Sequence, residues 1–300
     1  MPAAIPVILN ARAGSSEAAE TCDKLPELFA AAGLEARLLV AAPDEDIIAL
    51  TRRALREKPP LVVAGGGDGT ISAVASVLAG TDVALGVLPM GTLNHFARDL
   101  GIPKSLDEAI ANLATGHATQ IDVGEVNGRI FINNSSLGLY PQLVHHRDQQ
   151  QQRLGRTKWH AFFSAALLVL RRYPSMAVTV RVEGTDLIRR TPLVFIGNNS
   201  YQMEGLDIGK RAAIDAGILS LYLPRRAGRM GLIRIALRAL FGRLRAVKDF
   251  DSLRATDFTI ETKRERVRVA ADGEVLAMDA PLNYRIRAGA LRVIVPTAAR

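Results

Sequence analysis

Cysteine is almost missing from this chain: the single Cys22 among 300 residues rules out a disulfide framework and a thiolate zinc site. A reducing compartment, the cytoplasm, is the expectation. Aromatic residues make up only 5% of the chain, and no stacking platform or recognition motif accompanies them, which counts against a nucleic-acid partner. The lone Trp159, beside Lys158 and His160, reads as a core or interfacial residue. The neighbours His145 and His146 lack metal-ligand spacing and read as surface or helix positions. Long hydrophobic runs are missing too. The longest uncharged one, "AFFSAALLVL" (161–170), is about half of what a bilayer crossing needs. The opening "MPAAIPVILNARAGSS" has no basic segment followed by a long apolar stretch, so it does not read as a signal peptide. A soluble protein, or one attached to a membrane surface, is expected. No internal repeat is visible, and the one low-complexity piece is "DQQQQR" (148–153).

Hydrophobic residues are plentiful, at 48%, and 300 residues suffice for two domains with a core each. Charge is divided unevenly. Residues 1–121 carry 9 Lys/Arg against 14 Asp/Glu, net −5, whereas 122–300 carry 29 against 16, net +13. A basic half suggests an anionic partner such as nucleic acid, an acidic membrane or a phosphorylated substrate.

The pattern changes at about Gln120. Before it, apolar runs at 5–10, 36–40, 61–64 and 83–88 alternate with helical patterns: one capped by Ser15 or Ser16 and running to about Ala32, one from Asp44 to Glu57, one from Ile71 to Ala79, and one opened by the capping box Ser105-x-x-Glu108. This βαβ logic predicts a three-layer α/β domain over 1–121, with a mostly parallel sheet. After it come a hairpin over 121–133 with an Asn127-Gly128 turn and strands at 176–184, 191–198, 218–224 and 257–262, interrupted by a helical segment over 228–248. A mainly antiparallel, β-sandwich-like domain over 122–287 is expected, with about 288–300 returning to the first domain.

"VVAGGGDGT" (62–70) is the most informative stretch. Glycine turns after a strand cradle phosphate with backbone N–H groups, and a carboxylate there should repel it. Neither the P-loop nor the dinucleotide fingerprint fits: no Lys-Ser/Thr pair follows, and Thr70 stands where a third glycine is needed. Two readings remain for Asp68. It is a helix N-cap in a tight turn, or it acts through Mg²⁺, which converts repulsion into attraction. A second polar turn, "PMGTLNHFARDLGIP" (89–103), follows one βαβ step later and would lie beside the first, where open α/β sheets bind ligands.

"GGGDGT" (65–70), "GTLNHFARDLGIP" (91–103) and "ADGEV" (271–275), in this order and with the closing "LRVIVP" (291–296), resemble the diacylglycerol kinase catalytic-domain family, which includes bacterial lipid kinases and sphingosine kinases. The glycine-Asp turn alone is shared with NAD kinases and phosphofructokinases. The resemblance implies a diacylglycerol kinase/NAD kinase-like fold with ATP between two domains. Its phosphates would be lined by Asn10, Ala11, Gly14, Gly66, Gly67, Asp68, Gly69, Thr70 and Ser72, with Thr92 and Asn94. Asp68 would orient ATP through Mg²⁺. Glu274 would be the general base for a lipid hydroxyl, and Asp272 its metal-side partner or an alternative base. Without the resemblance, Asp272-Gly273-Glu274 reads as an ordinary hairpin turn.

Departures accompany the match. Ala11 stands where family members often carry Pro, His95 where they carry an acid, Ala41 or Ala42 where a Thr is expected, and Ala216 where an acid precedes Gly217 at a structural-metal position; the neighbouring Asp215 is the remaining metal candidate. In 228–248, Arg234, Arg238 and Arg245 share one side of an apolar helix. That pattern suits either a membrane surface or a solvated helix packed on the sandwich. The expected partner is a lipid substrate at a membrane surface, with a homodimer as a candidate assembly. The alternatives are a NAD kinase, disfavoured because Asn133-Asn134-Ser135 and Asn198-Asn199-Ser200 lack the acid of that family's Asn-Asn-Glu, and a non-catalytic nucleotide- or lipid-binding relative.

Overall fold

The computed structural model describes residues 4–10, 16–42, 45–138, 175–202, 210–211, 213–224, 228, 231 and 250–297. The stretch 148–153, the apolar run 161–170, His145, His146, Trp159, nearly all of the basic segment 228–248, and Ala11, Gly14 and Asp44 lie outside them. Among the described residues no helix is long and apolar enough to cross a membrane.

The chain divides into two compact units, Met1–Val123 with Ala288–Arg300, and Gly124–Arg287. The first contains β1 (Ile5–Asn10), α1 (Ser16–Ala31), β2 (Ala36–Ala41), α2 (Ile47–Leu55), β3 (Leu61–Gly66), α3 (Asp68–Leu78), β4 (Ala84–Pro89), α4 (His95–Asp99), α5 (Leu106–Thr115) and most of β5 (His117–Val126). The second contains β6 (Arg129–Phe131), β7 (Asn134–Gly138), β8 (Met176–Val182), β9 (Thr185–Thr191), β10 (Leu193–Asn198), β11 (Tyr201–Gln202), β12 (Lys210–Arg211), β13 (Leu219–Pro224), β14 (Phe250–Ala255), β15 (Asp257–Thr262), β16 (Arg266–Ala271), β17 (Glu274–Asp279) and the first part of β18 (Leu282–Val295), whose last part belongs to the first unit.

In the first unit the strand order is β2-β1-β3-β4-β18, every pair parallel. Right-handed crossovers put α1 on one face and α2 and α3 on the other, because the chain steps outward from β1 to β2 and then returns across it. Packing agrees: α2 lies against α3, and α1 against α5. The central strands β1, β3 and β4 are apolar and buried along nearly their whole length, as strands covered on both faces must be, with Val62, Val63 and Ala64 wholly buried.

Helix starts differ from the sequence expectation. The second helix begins at Ile47 and is capped by Asp46, whose carboxylate accepts from the Ile48 N–H at 3.0 Å. Ser105 does take the N-cap position of α5, but its hydroxyl makes no capping bond. The third helix begins at Asp68, three residues early, with Gly67 as its cap. Asp68 is therefore in the first helical turn and is not the cap.

The second unit is antiparallel. One sheet runs β14-β13-β10-β7-β16-β17, and the opposing strands run β18-β15-β8-β9. Leu137, Val194, Ile196, Leu219 and Leu221 from the first meet Val178, Val180, Phe258, Ile260 and Leu282 from the second in one apolar cluster. The Asn127-Gly128 hairpin forms as expected, both residues having positive φ. Strands β7, β9 and β14 were not expected; β9 and β14 carry charged residues at close intervals, so their apolar alternation is faint. The turn reading of Asp272-Gly273-Glu274 is met by the β16–β17 hairpin.

Tyr284 anchors this core. Its ring stacks on Phe258 at 5.2 Å, and its hydroxyl meets Ser135 Oγ at 3.0 Å. Burial pushes the phenol well above its ordinary value of 10.0. In the unfolded chain the phenol ionises near 10, so its contribution is complete below that pH and is lost as pH rises above it. Tyr284→Phe should cost roughly 1–2 kcal/mol in urea denaturation at neutral pH, since Ser135 loses its partner. It should also lessen the fall in stability above about pH 10.

Candidate active site

The ends of β1, β3 and β4 lie together at the carboxyl edge of the parallel sheet. Strand β1 pairs on opposite sides with β2 and β3, so the direction of chain progression reverses between β1 and β3, and ligands of open α/β sheets occupy that crevice. Asn10 ends β1 there, and Gly66 ends β3 beside Pro89 of β4. The Asn10 amide reaches Thr70 Oγ1 at 3.4 Å, joining the end of β1 to the first turn of α3.

Glycine is required where the loops touch. A Cβ on Gly91 would lie 2.5 Å from the Cα of Gly67, and one on Gly66 would lie 2.8 Å from the Thr70 side chain. Gly69, by contrast, is exposed, and a Cβ there would enter open space. The first bond within α3 is donated by Ile71 to Gly67, which leaves the amides of Asp68, Gly69 and Thr70 without helical acceptors. Such a turn attracts anions.

Asp68 is half-buried, and its Oδ1 accepts from the Phe96 N–H at 3.2 Å, linking α3 to α4. Asn94 holds the second loop. At φ 48° its Oδ1 accepts from Gly91 N–H at 2.9 Å, and its Nδ2 donates to the carbonyls of Gly91 and Pro89 at 2.7 and 3.2 Å. Its side chain thus shapes the turn that the sequence reading expected it to line. Thr92 is exposed, Ser72 is half-buried, and His95 Nδ1 meets Arg98 at 3.1 Å.

In the second unit, Asp272 and Gly273 form the β16–β17 turn with φ 48° and 87°. The Asp272 carboxylate accepts three consecutive backbone N–H groups, from Ile132 at 2.7 Å, Asn133 at 2.8 Å and Asn134 at 3.1 Å. The carbonyls of that segment are held from elsewhere: Ile132 O by Asn198 Nδ2 at 2.9 Å and Arg211 at 2.7 Å, Asn133 O by the Tyr201 hydroxyl at 2.9 Å. Asp272 is thus a fastening between β7 and the β16–β17 turn. Glu274, two residues on, is 58% exposed and ion-paired with Arg129. Its carboxylate is accessible where that of Asp272 is committed.

Arg129 escaped the sequence reading, and Asn133 entered it only in the Asn133-Asn134-Ser135 stretch that lacks an acid. Asn133 is buried, and its Oδ1 has no donor among the described residues. Both follow the Asn127-Gly128 hairpin, but only the fold puts them beside the distant "ADGEV" turn. Asp215 and Ala216 are exposed, and no group of three or more metal-ligating side chains occurs among the described residues. Asp215 thus belongs to no such group among the described residues. Asp68 does fit Mg²⁺ carried in by a phosphate ligand, since that ion takes one or two carboxylates and keeps its waters.

Residues 4–126 match the model of the diacylglycerol kinase catalytic domain, and residues 142–295, just over half of the chain, match the YegS C-terminal NAD kinase beta sandwich-like domain. The chain belongs to the diacylglycerol kinase catalytic-domain family. A relative in Bacillus subtilis, named diacylglycerol kinase, is 28% identical over 241 residues, 79% of this chain and 78% of that protein. One in Staphylococcus epidermidis, named likewise, is 32% identical over 180 residues, 58% of this chain and 55% of that protein. The crystal structure of a diacylglycerol kinase from Bacillus anthracis shares the fold, with a TM-score of 0.71 at 20% identity over 99% of this chain and 98% of that one.

The two acids of the family turn should separate cleanly. Asp272→Ala, which abandons three amides, should lower stability by about 2–4 kcal/mol in urea denaturation. Glu274→Gln, which breaks only an exposed pair, should change it by less than about 0.5 kcal/mol.

Proposed function

We propose that the protein is a lipid kinase transferring the γ-phosphate of Mg·ATP to a lipid hydroxyl, that of a diacylglycerol-like lipid or a sphingoid base. The observation that carries this reading is Asp68. A half-buried acid occupies the first residue of α3, among free helix-start amides and beside the Gly91 loop, at the carboxyl edge of a parallel sheet. Backbone amides there would hold phosphate oxygens, with Gly66, Gly67, Gly69 and Thr70 forming the cradle. Mg²⁺, held by Asp68 and phosphate oxygens, would neutralise charge on the transferred group.

Glu274 is the proposed general base. The lipid oxygen forms its bond to the γ-phosphorus as the bond from phosphorus to the β,γ-bridging oxygen breaks, the lipid proton passes to the Glu274 carboxylate, and ADP leaves. Arg129 would orient that carboxylate until the substrate hydroxyl replaces it as partner. Asp272 would act by position, fixing the turn from which Glu274 projects. The net charge of +13 over residues 122–300 supports action on the inner, anionic face of a membrane, with the protein peripheral and cytoplasmic.

Full-length protein given labelled ATP, Mg²⁺ and a total lipid extract should yield a labelled lipid. Asp68→Ala and Glu274→Ala should each lower the rate by at least about 10²-fold with the fold intact by circular dichroism. Activity retained in both variants refutes the site assignment. Conversion of NAD to NADP would make the protein a NAD kinase, and saturable ATP binding without transfer to any lipid would make it a binding protein.

A further inference from the structure

His95 and Arg98 are three residues apart on α4 and share one of its faces, while Phe96 and Ala97 are buried on the other. An Arg98 guanidinium N–H lies 3.1 Å from His95 Nδ1, and the same guanidinium is 3.9 Å from the carboxylate of Asp99, which is 2% exposed. A guanidinium has donors only, so Nδ1 is the acceptor in this contact. The proton of the neutral ring is thereby fixed on Nε2. Such a ring has no lone pair left for a cation and one N–H to give to an acceptor. Nε2 has no hydrogen bond to a described residue, and the ring is only half-buried.

The backbone ties this ring to Asp68. The amide that follows it, Phe96 N–H, donates to Asp68 Oδ1 at 3.2 Å and so is not open to a ligand. What this loop offers an anion is therefore the imidazole N–H and the guanidinium behind it, not the start of the short helix. Asp68 in turn opens α3, whose first amides have no helical acceptors.

We propose that His95 Nε2–H donates directly to a phosphate oxygen of bound ATP, with Arg98 as the positioning residue that fixes the tautomer. The inference rests on the reading of this edge as a nucleotide site. Members of the family often carry an acid where this chain has His95, and a carboxylate can meet a phosphate only through a cation. The imidazole removes that requirement. Asp68 keeps its role toward Mg²⁺, so the triphosphate is held by two routes, of which only one needs the ion.

Calorimetric titration of the full chain with ATP, once in EDTA and once in Mg²⁺, tests this without any turnover. The wild type should bind ATP in EDTA. His95→Gln, whose amide N–H reaches the place of Nε2–H, should bind within about threefold of it. His95→Leu should lose at least about tenfold in EDTA. His95→Asp should lose more in EDTA and regain a larger share with Mg²⁺, because the ion then stands between two acids and the phosphate. Circular dichroism should show all three variants folded. With histidine labelled by ¹⁵N, the ring signals missing from His95→Gln should report the proton on Nε2, and ATP should shift that nitrogen. A ring protonated on Nδ1 alone, ATP binding by the wild type only in Mg²⁺, or binding in EDTA unchanged in both His95→Leu and His95→Asp overturns the inference and leaves the nucleotide site standing. A wild type that binds no ATP in either condition overturns the nucleotide site and the inference with it.

Discussion

The approach of the Gly91 backbone to Gly67 governs the first unit. A single methyl group on Gly91 would have to displace main chain. With both positions glycine, the loops after β3 and β4 become one surface, and Asp68 reaches across it to the amide of Phe96. Asn94 completes the arrangement by satisfying the donors and acceptors of its own turn. The free amides at the start of α3 are then left facing outward, and an anion or solvent must satisfy them.

The second unit uses a carboxylate for the opposite purpose. Asp272 satisfies three amides that would otherwise lack partners, while Asn198, Arg211 and Tyr201 satisfy the carbonyls of the same segment. A segment saturated on both sides is stiff, because any movement breaks several bonds at once. Glu274 projects from the turn that Asp272 fastens, and its ion pair with Arg129 is the exposed, exchangeable member of the group. Two acids in one five-residue motif thus differ in what holds them, Asp272 by three backbone amides and Glu274 by one exposed guanidinium.

Much of the fold was legible. Hydrophobic runs separated by helical periods announced the parallel sheet, and Asn127-Gly128 announced a hairpin, because these signals are local and the strands concerned are buried. Strand β9 was not legible, since its Leu187-Ile188 and Arg189-Arg190 pairs break the alternation. The start of α3 was misjudged because Gly67 caps it with no side chain at all, whereas Ser105 does open α5 although its hydroxyl makes no capping bond. In the site, the glycine turn was readable in physical terms. The "ADGEV" turn was readable only by resemblance, because a hairpin turn looks the same whether or not it serves chemistry.

The sequence by itself determined which residue types lie in each motif, the family, and the change from βαβ alternation to antiparallel strands, all of which depend on near neighbours along the chain. Tertiary structure alone decided that Arg129 meets Glu274, that Asp272 is bound by amides 138 to 140 residues away, and that Asn94 folds back on its own loop. Those contacts arise from strand register and close backbone approach. Neither quantity is written in local patterning, and both follow only once buried polar groups have found their partners.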